Sequence, residues 1–565
     1  MPLRRLCEVY DRLDGLEPPH HRLREVPWLI SLAADGRFLG FVSTAGDDRR
    51  AKSYVVPYAR RSGQRPKPYL FVDVPAVVLA VGQDKMTPEQ AAARHAEYRD
   101  LVERCAAACH ALEVRAVVTF LREHLERARE VVPESLKPGE LLAFQVGERV
   151  VTDLPEVRAF WQASQEPPAD PKALTAECLL CGREAPVMQS HPVELHLGAD
   201  RVQFVTANES AFESYGLNRS EIAPVCAPCA MRYGQAADHL MTSREHHTTL
   251  GGLHYVYWTR RGSGHSAFAQ LTEPQPEEVR RLVTSVYSPS QRHAVDQADD
   301  FYLLALTANQ SRLIVRDWLE TSLPEVEANL GRYFALQALV APDGSPGEPL
   351  GVRSLLGSLV RKLDDLTPHT MPALVGAALR GRPLPIWLLH QVVRRAQGDT
   401  DYRVTRPRAA LAKLVLNSLP ETERRVPMVQ ESLDLSNRHP AYLCGRLLAV
   451  LESVQHGALG KVGATIVDRF YGTASTAPAA VFGRLMRGAQ SHLAKLRRDK
   501  PGYHVKLQQR IEEITAGLTG FPTVLDLTEQ GLFMLGYYHQ RAADRQRPSI
   551  EAAAADDTDP NDQSE

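Results

Sequence analysis

The sequence lacks any apolar run close to the roughly 18–20 residues that a membrane-spanning helix requires. Its strongest candidate, residues 71–81, is interrupted by Asp73 and Pro75, and we expect it to form a buried strand. The first thirteen residues also lack the apolar centre of a secretion signal. These two absences predict a cytoplasmic protein.

The sequence also lacks a large excess of either charge, because it has 66 Lys and Arg residues and 68 Asp and Glu residues. The formal net charge of −2 excludes a uniformly basic nucleic-acid coat. Any binding of nucleic acid must therefore come from local basic patches. At roughly 150 residues per domain, the length of 565 residues allows three or four domains.

Familiar catalytic signatures are missing from the sequence. It contains no Walker loop, no GxSxG, no GxGxxG and no His-Asp pair of the phosphohydrolase kind. In a chain of this length, these absences favour a binding protein over an enzyme.

Cysteine is scarce, and eight cysteines in 565 residues do not make a disulfide framework. Cys105 and Cys109 stand four residues apart in a predicted helix, where we expect two small buried side chains.

The remaining cysteines include two Cys-x-x-Cys knuckles, Cys178 with Cys181 and Cys226 with Cys229. Four thiolates suit one tetrahedral zinc ion that has no open position for a reacting water, so the knuckles predict structural Zn²⁺. Their separation exceeds that of a compact zinc ribbon, so the residues between them should form a small subdomain clipped by the ion. Knuckles that have lost the ion are the alternative.

An HNH-type nuclease with a zinc-stapled core is a second interpretation of the same stretch. Its candidate residues would be His191, His196 and Asn208. That chemistry needs a general base beside a catalytic divalent ion. However, Ser190 stands where an acidic residue or a histidine usually precedes the base, and no histidine follows the second knuckle at a useful spacing.

The overall pattern predicts an α+β, multidomain fold, in which a strand-rich N-terminal region with the zinc-clipped subdomain precedes an α-helical C-terminal bundle. The stretch AADGR predicts a hairpin turn, and residues 53–82 predict a second hairpin with a longer, basic loop. Thr87, Pro88 and Gln90 form the start signal of a helix. Residues 301–339 predict two strands and a helix.

Shifts in composition divide the chain into six segments. These are an α+β region at 1–165, the zinc-clipped subdomain at 166–270, a strand–helix segment at 271–345 that completes the N-terminal region, a helical linker region at 346–427, a four-helix bundle at 428–547 and a disordered acidic tail at 548–565. Amphipathic patterns place the four helices at 440–454, 478–498, 504–518 and 528–541.

The second of these helices carries a strongly basic face. At about 100° per residue, one face gathers the apolar residues Phe482, Leu485, Met486, Ala489, Leu493 and Leu496. The opposite face gathers the cations Arg484, Arg487, Lys495 and Arg498, and Lys500, Lys506 and Arg510 follow. Asp499 is the only acidic residue between Arg484 and Arg510, which favours a phosphate track over an ordinary solvated face.

Two further basic stretches are weaker candidates. The loop ARRSGQRPKPY carries the side-chain types that contact base edges, at Arg60, Arg61, Gln64, Arg65 and Lys67. A later cluster is interrupted by Asp399 and Asp401, and consists of Arg394, Arg395, Arg403, Arg406, Arg408 and Lys413.

Several long motifs resemble one known family. They are VYDRL, VPWLISLAADGRFLG, YVVPYARRSGQRPK, the Cys178 knuckle, SHP and AFESYG, and most densely NRHPAYLCGRLLAVLESVQ, DRFYGTASTAPAAVFGRLMRGAQSHLAKLRRDKPG and GYYHQR. The chain is similar to the large subunit of the subtype I-C CRISPR Cascade, an RNA-guided DNA surveillance complex of bacteria.

The resemblance implies that the protein recognises the protospacer-adjacent motif in duplex DNA, helps to open the duplex, holds the displaced non-target strand and recruits a helicase–nuclease for antiviral defence. It implies Cascade backbone subunits and CRISPR RNA as partners, and no cleavage by this subunit. Pairing with the guide then reads the sequence, and the protein reads only the short motif and the shape. Residues 60–67 would sense the motif, and the strand path would consist of Arg484, Arg487, Lys495, Arg498 and Lys500. A scaffold that binds no nucleic acid is a third hypothesis.

Two departures from the family pattern affect how far the family's roles can be assigned to residues of this chain. Val193, Glu194 and Leu195 follow the His-Pro where relatives often have Lys-Gly, which weakens any contact transferred to that stretch. The second knuckle is complete here although many relatives lack it, which strengthens the prediction of zinc. The C-terminal part also resembles the small subunit of the complex, which the family can make separately, and Met428 is a candidate internal start.

Overall fold

The computed structural model describes residues 2–12, 18, 20–45, 51–59, 67–81, 87–165, 174–188, 193, 195–198, 200–205, 209–262, 267–287, 299–309, 312–399, 403–460 and 462–546. By their contacts the residues divide into two compact units. The first unit is 1–247 with 306–316, and the second is 248–305 with 317–565. In the described part of the chain, no helix is long and apolar enough to cross a membrane.

The first unit mixes short strands with helices. Its elements are α1 (Pro2–Tyr10), β1 (His21–Glu25), β2 (Trp28–Leu32), β3 (Phe38–Ser43), β4 (Ser53–Pro57), β5 (Val72–Asp73), α2 (Pro75–Val78), α3 (Pro88–Ala108), α4 (Leu112–Thr119), α5 (Leu125–Glu130), β6 (Leu142–Val146), β7 (Arg149–Val150), α6 (Pro155–Gln165), β8 (Thr175–Glu177), β9 (Glu184–Pro186), β10 (Leu195–Leu197), β11 (Asp200–Val202) and α7 (Ala227–Thr242).

The remaining elements include four strands, all before α10, and are otherwise helical. They are β12 (His247–Leu250), β13 (Leu253–Thr259), α8 (Ala267–Thr272), α9 (Pro276–Tyr287), β14 (Asp300–Asn309), β15 (Arg312–Ser322), α10 (Leu323–Gln337), α11 (Val352–Leu359), α12 (Thr370–Arg380), α13 (Ile386–Gly398), α14 (Arg406–Ser418), α15 (Pro440–Leu459), α16 (Ile466–Thr476), α17 (Pro478–Asp499), α18 (Pro501–Ala516) and α19 (Leu527–Arg545).

The predicted AADGR hairpin is confirmed, since β2 and β3 pair antiparallel on either side of it. Gly36 has a φ of 88°, and a Cβ there would lie 2.6 Å from the Cβ of Thr119, so the turn requires glycine. β2 also pairs in parallel with β6, and this sheet has the order β3-β2-β6-β5 with β7 on β6. The buried Ile30 and Phe144 belong to its core.

Two strand predictions were wrong. The second hairpin does not form, because β4 pairs with β1 while β5 pairs with β6. The run at 71–81 is a strand only at Val72–Asp73, after which Pro75 begins the short helix α2. A proline at that point fits the first turn of a helix, where its missing N–H costs nothing.

Local helix signals were reliable. The Thr87 side chain accepts from the Gln90 backbone and the Gln90 side chain accepts in return, which is the predicted capping box of α3. Strands β14 and β15 are adjacent in the sheet of order β12-β13-β14-β15 and lead into α10, as predicted. Cys105 and Cys109 are both buried, as expected.

The C-terminal part is helical as predicted, and the four expected helices appear as α15, α17, α18 and α19. A further helix, α16, was missed because Gly472 and several threonines made it resemble a connection. Its capping box at Thr465 and Asp468 was the available signal. One apolar core runs from Leu250 to Ala542, so α15–α19 share it with the helices that precede them.

Helices α15 and α19 cross with their backbones in contact. A Cβ at Gly445 would lie 2.0 Å from the backbone oxygen of Phe533, and a Cβ at Gly536 would lie 2.2 Å from that of Tyr442. Real Cβ atoms do not approach carbonyl oxygens so closely. Glycine at both positions is therefore what sets the distance between the two helices.

We expect Gly445→Ala and Gly536→Ala each to lower the free energy of unfolding of the second unit by about 2 kcal/mol or more, because the helices must move apart. Denaturant titration followed by circular dichroism measures this effect. The double variant should lose less than the sum, because the second methyl group enters a space already opened.

Gly483→Ala is the matched control. Gly483 lies in α17, and a Cβ there would have no atom within 4 Å, so alanine should be neutral or stabilising by about 0.5–1 kcal/mol. Equal effects at Gly445 and Gly483 would contradict a crossing set by glycine.

Candidate metal centre and basic helix

The first cysteine knuckle is a tight turn between β8 and β9, which pair antiparallel. The backbone N–H of Cys178 donates to Arg183 O at 2.9 Å, and that of Gly182 donates to Cys178 O at 2.9 Å. Gly182 has a φ of 71°, a conformation that glycine adopts without strain. The turn buries Cys178 and leaves Cys181 exposed.

The second knuckle is the first turn of α7, with Cys226 at its N-cap and Cys229 inside the helix. Cys226 forms an isolated antiparallel bridge with Val187, which follows β9. The backbone N–H of Cys226 donates to the Sγ of Cys178 at 3.4 Å. The bridge and this hydrogen bond bring the second knuckle onto the first.

The ligand atoms of the four cysteines all lie within 4.8 Å of one another, and no disulfide joins them. Around a tetrahedral zinc ion with bonds of about 2.3 Å, sulfur atoms lie about 3.8 Å apart. The Sγ atoms of Cys181 and Cys226 are 3.9 Å apart. The four sulfurs could therefore hold a metal ion with little rearrangement.

The hydrogen bonding of the cluster favours a thiolate at Cys178. Burial alone would raise the pKa of this thiol, but the backbone N–H groups of Cys226, Cys181 and Leu180 outweigh burial and lower the pKa to about 6. Burial raises the pKa of Cys226 and of Cys229, and the sulfur of Cys178 raises both further, although hydrogen bonds with Cys229 lower the pKa of Cys226. The protein's own groups thus favour the thiolate at Cys178, and a bound cation would favour the thiolates at Cys226 and Cys229.

Helix α1 contributes contacts to this site that the sequence did not suggest. The buried Cys7 donates from its Sγ to the backbone oxygen of Cys229 at 3.7 Å, and Arg232 of α7 forms an ion pair with Asp11. Burial raises the pKa of Cys7 to about 11, so this thiol stays protonated at neutral pH. Cys7 therefore acts here as a neutral hydrogen-bond donor beside the cluster.

Of the three nuclease candidates, only His196 lies among the described residues. His196 lies on β10 with its Nδ1 3.1 Å from Asp238 Oδ1, and its backbone N–H donates to the same oxygen. Arg22 donates to the other oxygen of Asp238 at 3.0 Å. His191 and Asn208 lie outside the described residues. Asp238, which orients His196, comes from a distant helix and was not predicted.

The predicted apolar face of α17 is buried except for Met486, which is partly buried. The opposite face is exposed and carries Arg484, Arg487, Lys495, Arg498 and, directly after the helix, Lys500. This burial confirms that the helix is amphipathic with its cations outward.

The contacts of this basic face leave most of its charge uncompensated. The Arg484 guanidinium lies 4.6 Å from the centre of the Phe470 ring, and Lys500 Nζ donates to the backbone oxygen of Gly457 at 3.3 Å. Arg498 pairs with Asp499 at 2.8 Å, and both side chains are exposed to solvent. The backbone oxygen and the ring supply no full negative charge, so these cations remain available to an anion.

Arg510 does not extend this face, because it forms an ion pair with Asp544 of α19. The Arg510 side chain is 23% exposed and the Asp544 side chain 12% exposed, so the pair is largely removed from solvent. The basic face therefore ends before Arg510.

The weaker cluster around residues 394–413, apart from the exposed Arg394, makes its contacts inside the protein. Asp399 accepts from Arg395 at 2.9 Å and from Arg408 at 2.5 Å, and Arg408 is 7% exposed. Lys413 is 3% exposed and donates to the backbone oxygen of Leu336 at 3.0 Å. These contacts connect helices of the second unit to one another.

Of the predicted motif-sensing loop, Arg60, Arg61, Gln64 and Arg65 lie outside the described residues. Lys67 is described and exposed. The part these residues play stays a prediction.

The family model described as CRISPR-associated protein (Cas_Csd1) matches residues 6–544 of the chain. The match includes both cysteine knuckles and the whole of α17. A comparison with curated proteins finds no match.

Proposed function

The chain belongs to the Cas_Csd1 family of CRISPR-associated proteins, the large-subunit family of type I-C Cascade, and we propose that it is the DNA-sensing subunit of such a complex. In this proposal it recognises the protospacer-adjacent motif in duplex DNA, aids unwinding, holds the non-target strand and recruits the helicase–nuclease. Its partners are then the Cascade backbone subunits with their CRISPR RNA, the target DNA and the helicase–nuclease.

The exposed basic face of α17 is the observation that carries this proposal. The solvent side carries the four predicted cations of the helix together with Lys500, and Asp499 is the only acidic residue in this stretch of sequence. A row of cations on one exposed face attracts phosphates without reading sequence. Such a face suits the displaced strand, whose sequence differs from one target to the next. Residues 60–67 are the proposed reader of the short motif.

We propose that the four-cysteine cluster binds Zn²⁺ as a structural ion. With all four positions taken by sulfur, the ion would have no site for a reacting water, and it would hold the β8–β9 turn against the start of α7. Under this proposal the chain binds DNA and does not cut it. Mg²⁺-dependent duplex cleavage by the pure chain that His191→Ala abolishes would favour the nuclease instead.

Replacing Cys226 and Cys229 together by serine should release about one metal ion per chain and lower the melting temperature of the first unit, because the ion couples to folding. Elemental analysis and calorimetry measure the two effects. Cys444→Ala is the matched control, since Cys444 is buried in α15 and should keep the metal. Unchanged metal content in the double variant would refute this site.

Reversing two charges of the basic face, with Arg487→Glu and Lys495→Glu, should weaken binding of single-stranded DNA more than tenfold at low salt. The slope of log K against log salt should fall by roughly 1.4, at about 0.7 for each lost phosphate contact. Fluorescence anisotropy across a salt series measures both. In the assembled complex, the variant should still prefer the same flanking sequence, because motif reading is assigned to residues 60–67.

The matched control is Arg353→Glu with Lys362→Glu, which makes the same charge change at two exposed positions of the second unit. It should bind the strand like the wild type. If both pairs of substitutions weaken binding equally, only net charge matters and α17 is not the strand path. If neither pair of substitutions changes DNA binding, the result favours the hypothesis of a scaffold that binds no nucleic acid.

We also propose that translation from Met428 yields a separate small-subunit product. Met428 precedes α15 by twelve residues, so such a product would contain all of α15–α19. The Met428 side chain is 40% exposed, so replacing it should leave the full chain folded.

Met428→Leu should therefore remove a short C-terminal product while leaving the full chain at its usual level. A C-terminal tag and immunoblotting of cells that express the gene measure this. A synonymous change at a neighbouring codon is the control. Persistence of the short band in the leucine variant would exclude this start.

A further inference from the structure

Tyr215 stands at the tip of a tight turn in the first unit. Ser214 and Leu217 form an antiparallel bridge, and the backbone N–H of Leu217 donates to Ser214 O at 2.9 Å. Between them, Tyr215 has a φ of 55° and Gly216 a φ of 75°. Two successive positive φ values are typical of a type I′ turn, which asparagine and glycine favour.

A tyrosine is poorly suited to this position. A bulky side chain with positive φ is a conformational outlier that costs free energy, and such outliers cluster at functional sites. The Tyr215 side chain is also 99% exposed, so it gains no burial within the chain to offset that cost. Neither local structure nor packing therefore accounts for a tyrosine here.

The turn is anchored on both sides. Before it, the ring of Phe212 lies under the guanidinium of Arg312 at 4.1 Å. After it, Asn218 and Glu221 form a capping box on the short 3₁₀ helix Arg219–Ile222. The tip therefore presents its tyrosine from a base that is held in place.

The surroundings of Tyr215 favour a nucleic-acid base over a protein partner. Near-complete exposure leaves both faces of the ring open, and stacking on a base needs an open face. A protein contact of this kind usually has an apolar surround that excludes water, whereas Glu213, Ser214 and Asn218 are polar and exposed. Arg219 is exposed four residues later and can contact a phosphate.

We propose that Tyr215 is a stacking platform for an unpaired base of DNA. The inference rests on the proposed function, which supplies the single strand, and adds a contact to bases that the α17 face does not make. Every base has a π-face, so the stacking tolerates any sequence.

The test compares two labelled strands of equal length, an oligothymidine and a phosphodiester backbone that carries no bases, bound to the full chain. Tyr215→Ala should bind oligothymidine about tenfold more weakly and the base-free strand as well as the wild type. Tyr215→Trp should keep the affinity. Tyr215→Asn should lose the affinity as alanine does, while its melting temperature stays equal or rises, because asparagine accepts the left-handed conformation.

Leu112→Ala, which shortens another exposed apolar side chain of the first unit, is the control and should change neither affinity. If the wild type binds neither strand, the proposed strand-holding function fails. Suppose instead that the wild type binds both strands. If Tyr215→Ala then keeps the wild-type affinity for both strands, or loses affinity equally for both, stacking by Tyr215 is overturned and the proposed function stands. Loss of co-purifying Cascade proteins with unchanged DNA binding would assign Tyr215 to a protein contact and also overturn it.

Discussion

The second unit depends on one backbone-to-backbone contact, the crossing of α15 and α19. Gly445 and Gly536 remove the side chains that would keep the two helices apart. At this separation the fully buried Arg446 can reach from α15 to Gln540 of α19 and to Glu513 of α18. A buried guanidinium without such partners would be strongly destabilising. The crossing therefore determines where the core can accommodate a charged side chain. Helix α17 packs on α15, and its cations lie on the side that faces away from this contact.

The first unit has a different constraint around its cysteines. Strands β8 to β11 have three residues each, too few to form a stable core by themselves. The four sulfurs lie where a turn between two of these strands meets the start of α7. The contacts of Cys7 with Cys229 and of Asp11 with Arg232 add α1 to this junction. A few polar contacts thus stabilise this junction, where longer strands would instead bury apolar surface.

Features encoded over a few residues could be predicted from the sequence, and features that need a distant partner could not. The period of α17, the capping box at Thr87 and the two knuckles are local patterns, and the structure contains each of them. The pairing of β4 with β1 was missed, because a strand's sequence does not identify the strand it pairs with. The motifs that resemble the family were specific enough to predict the family, and the match over residues 6–544 confirms it.

The same limit applies to charges. Arg510 and Arg408 have basic neighbours in sequence, as Arg487 has, yet their ion pairs with Asp544 and Asp399 make them structural. Only the partner distinguishes them, and the partner is 34 residues away in the first case. His196 is a comparable case, because its ring is held by Asp238 from another element.

The shared core of the second unit has a consequence for how its sequence can change. Gly531 of α19 lies against Leu389 and Leu416, at 2.9 and 3.3 Å from a Cβ placed there. Both leucines precede Met428, so a product that begins at Met428 would contain Gly531 without either neighbour. The codon for Gly531 would then encode a residue of two polypeptides. A substitution there could be harmless in the short product and still disrupt packing in the full chain. Evolution of this segment would proceed under the stricter of two sets of packing requirements.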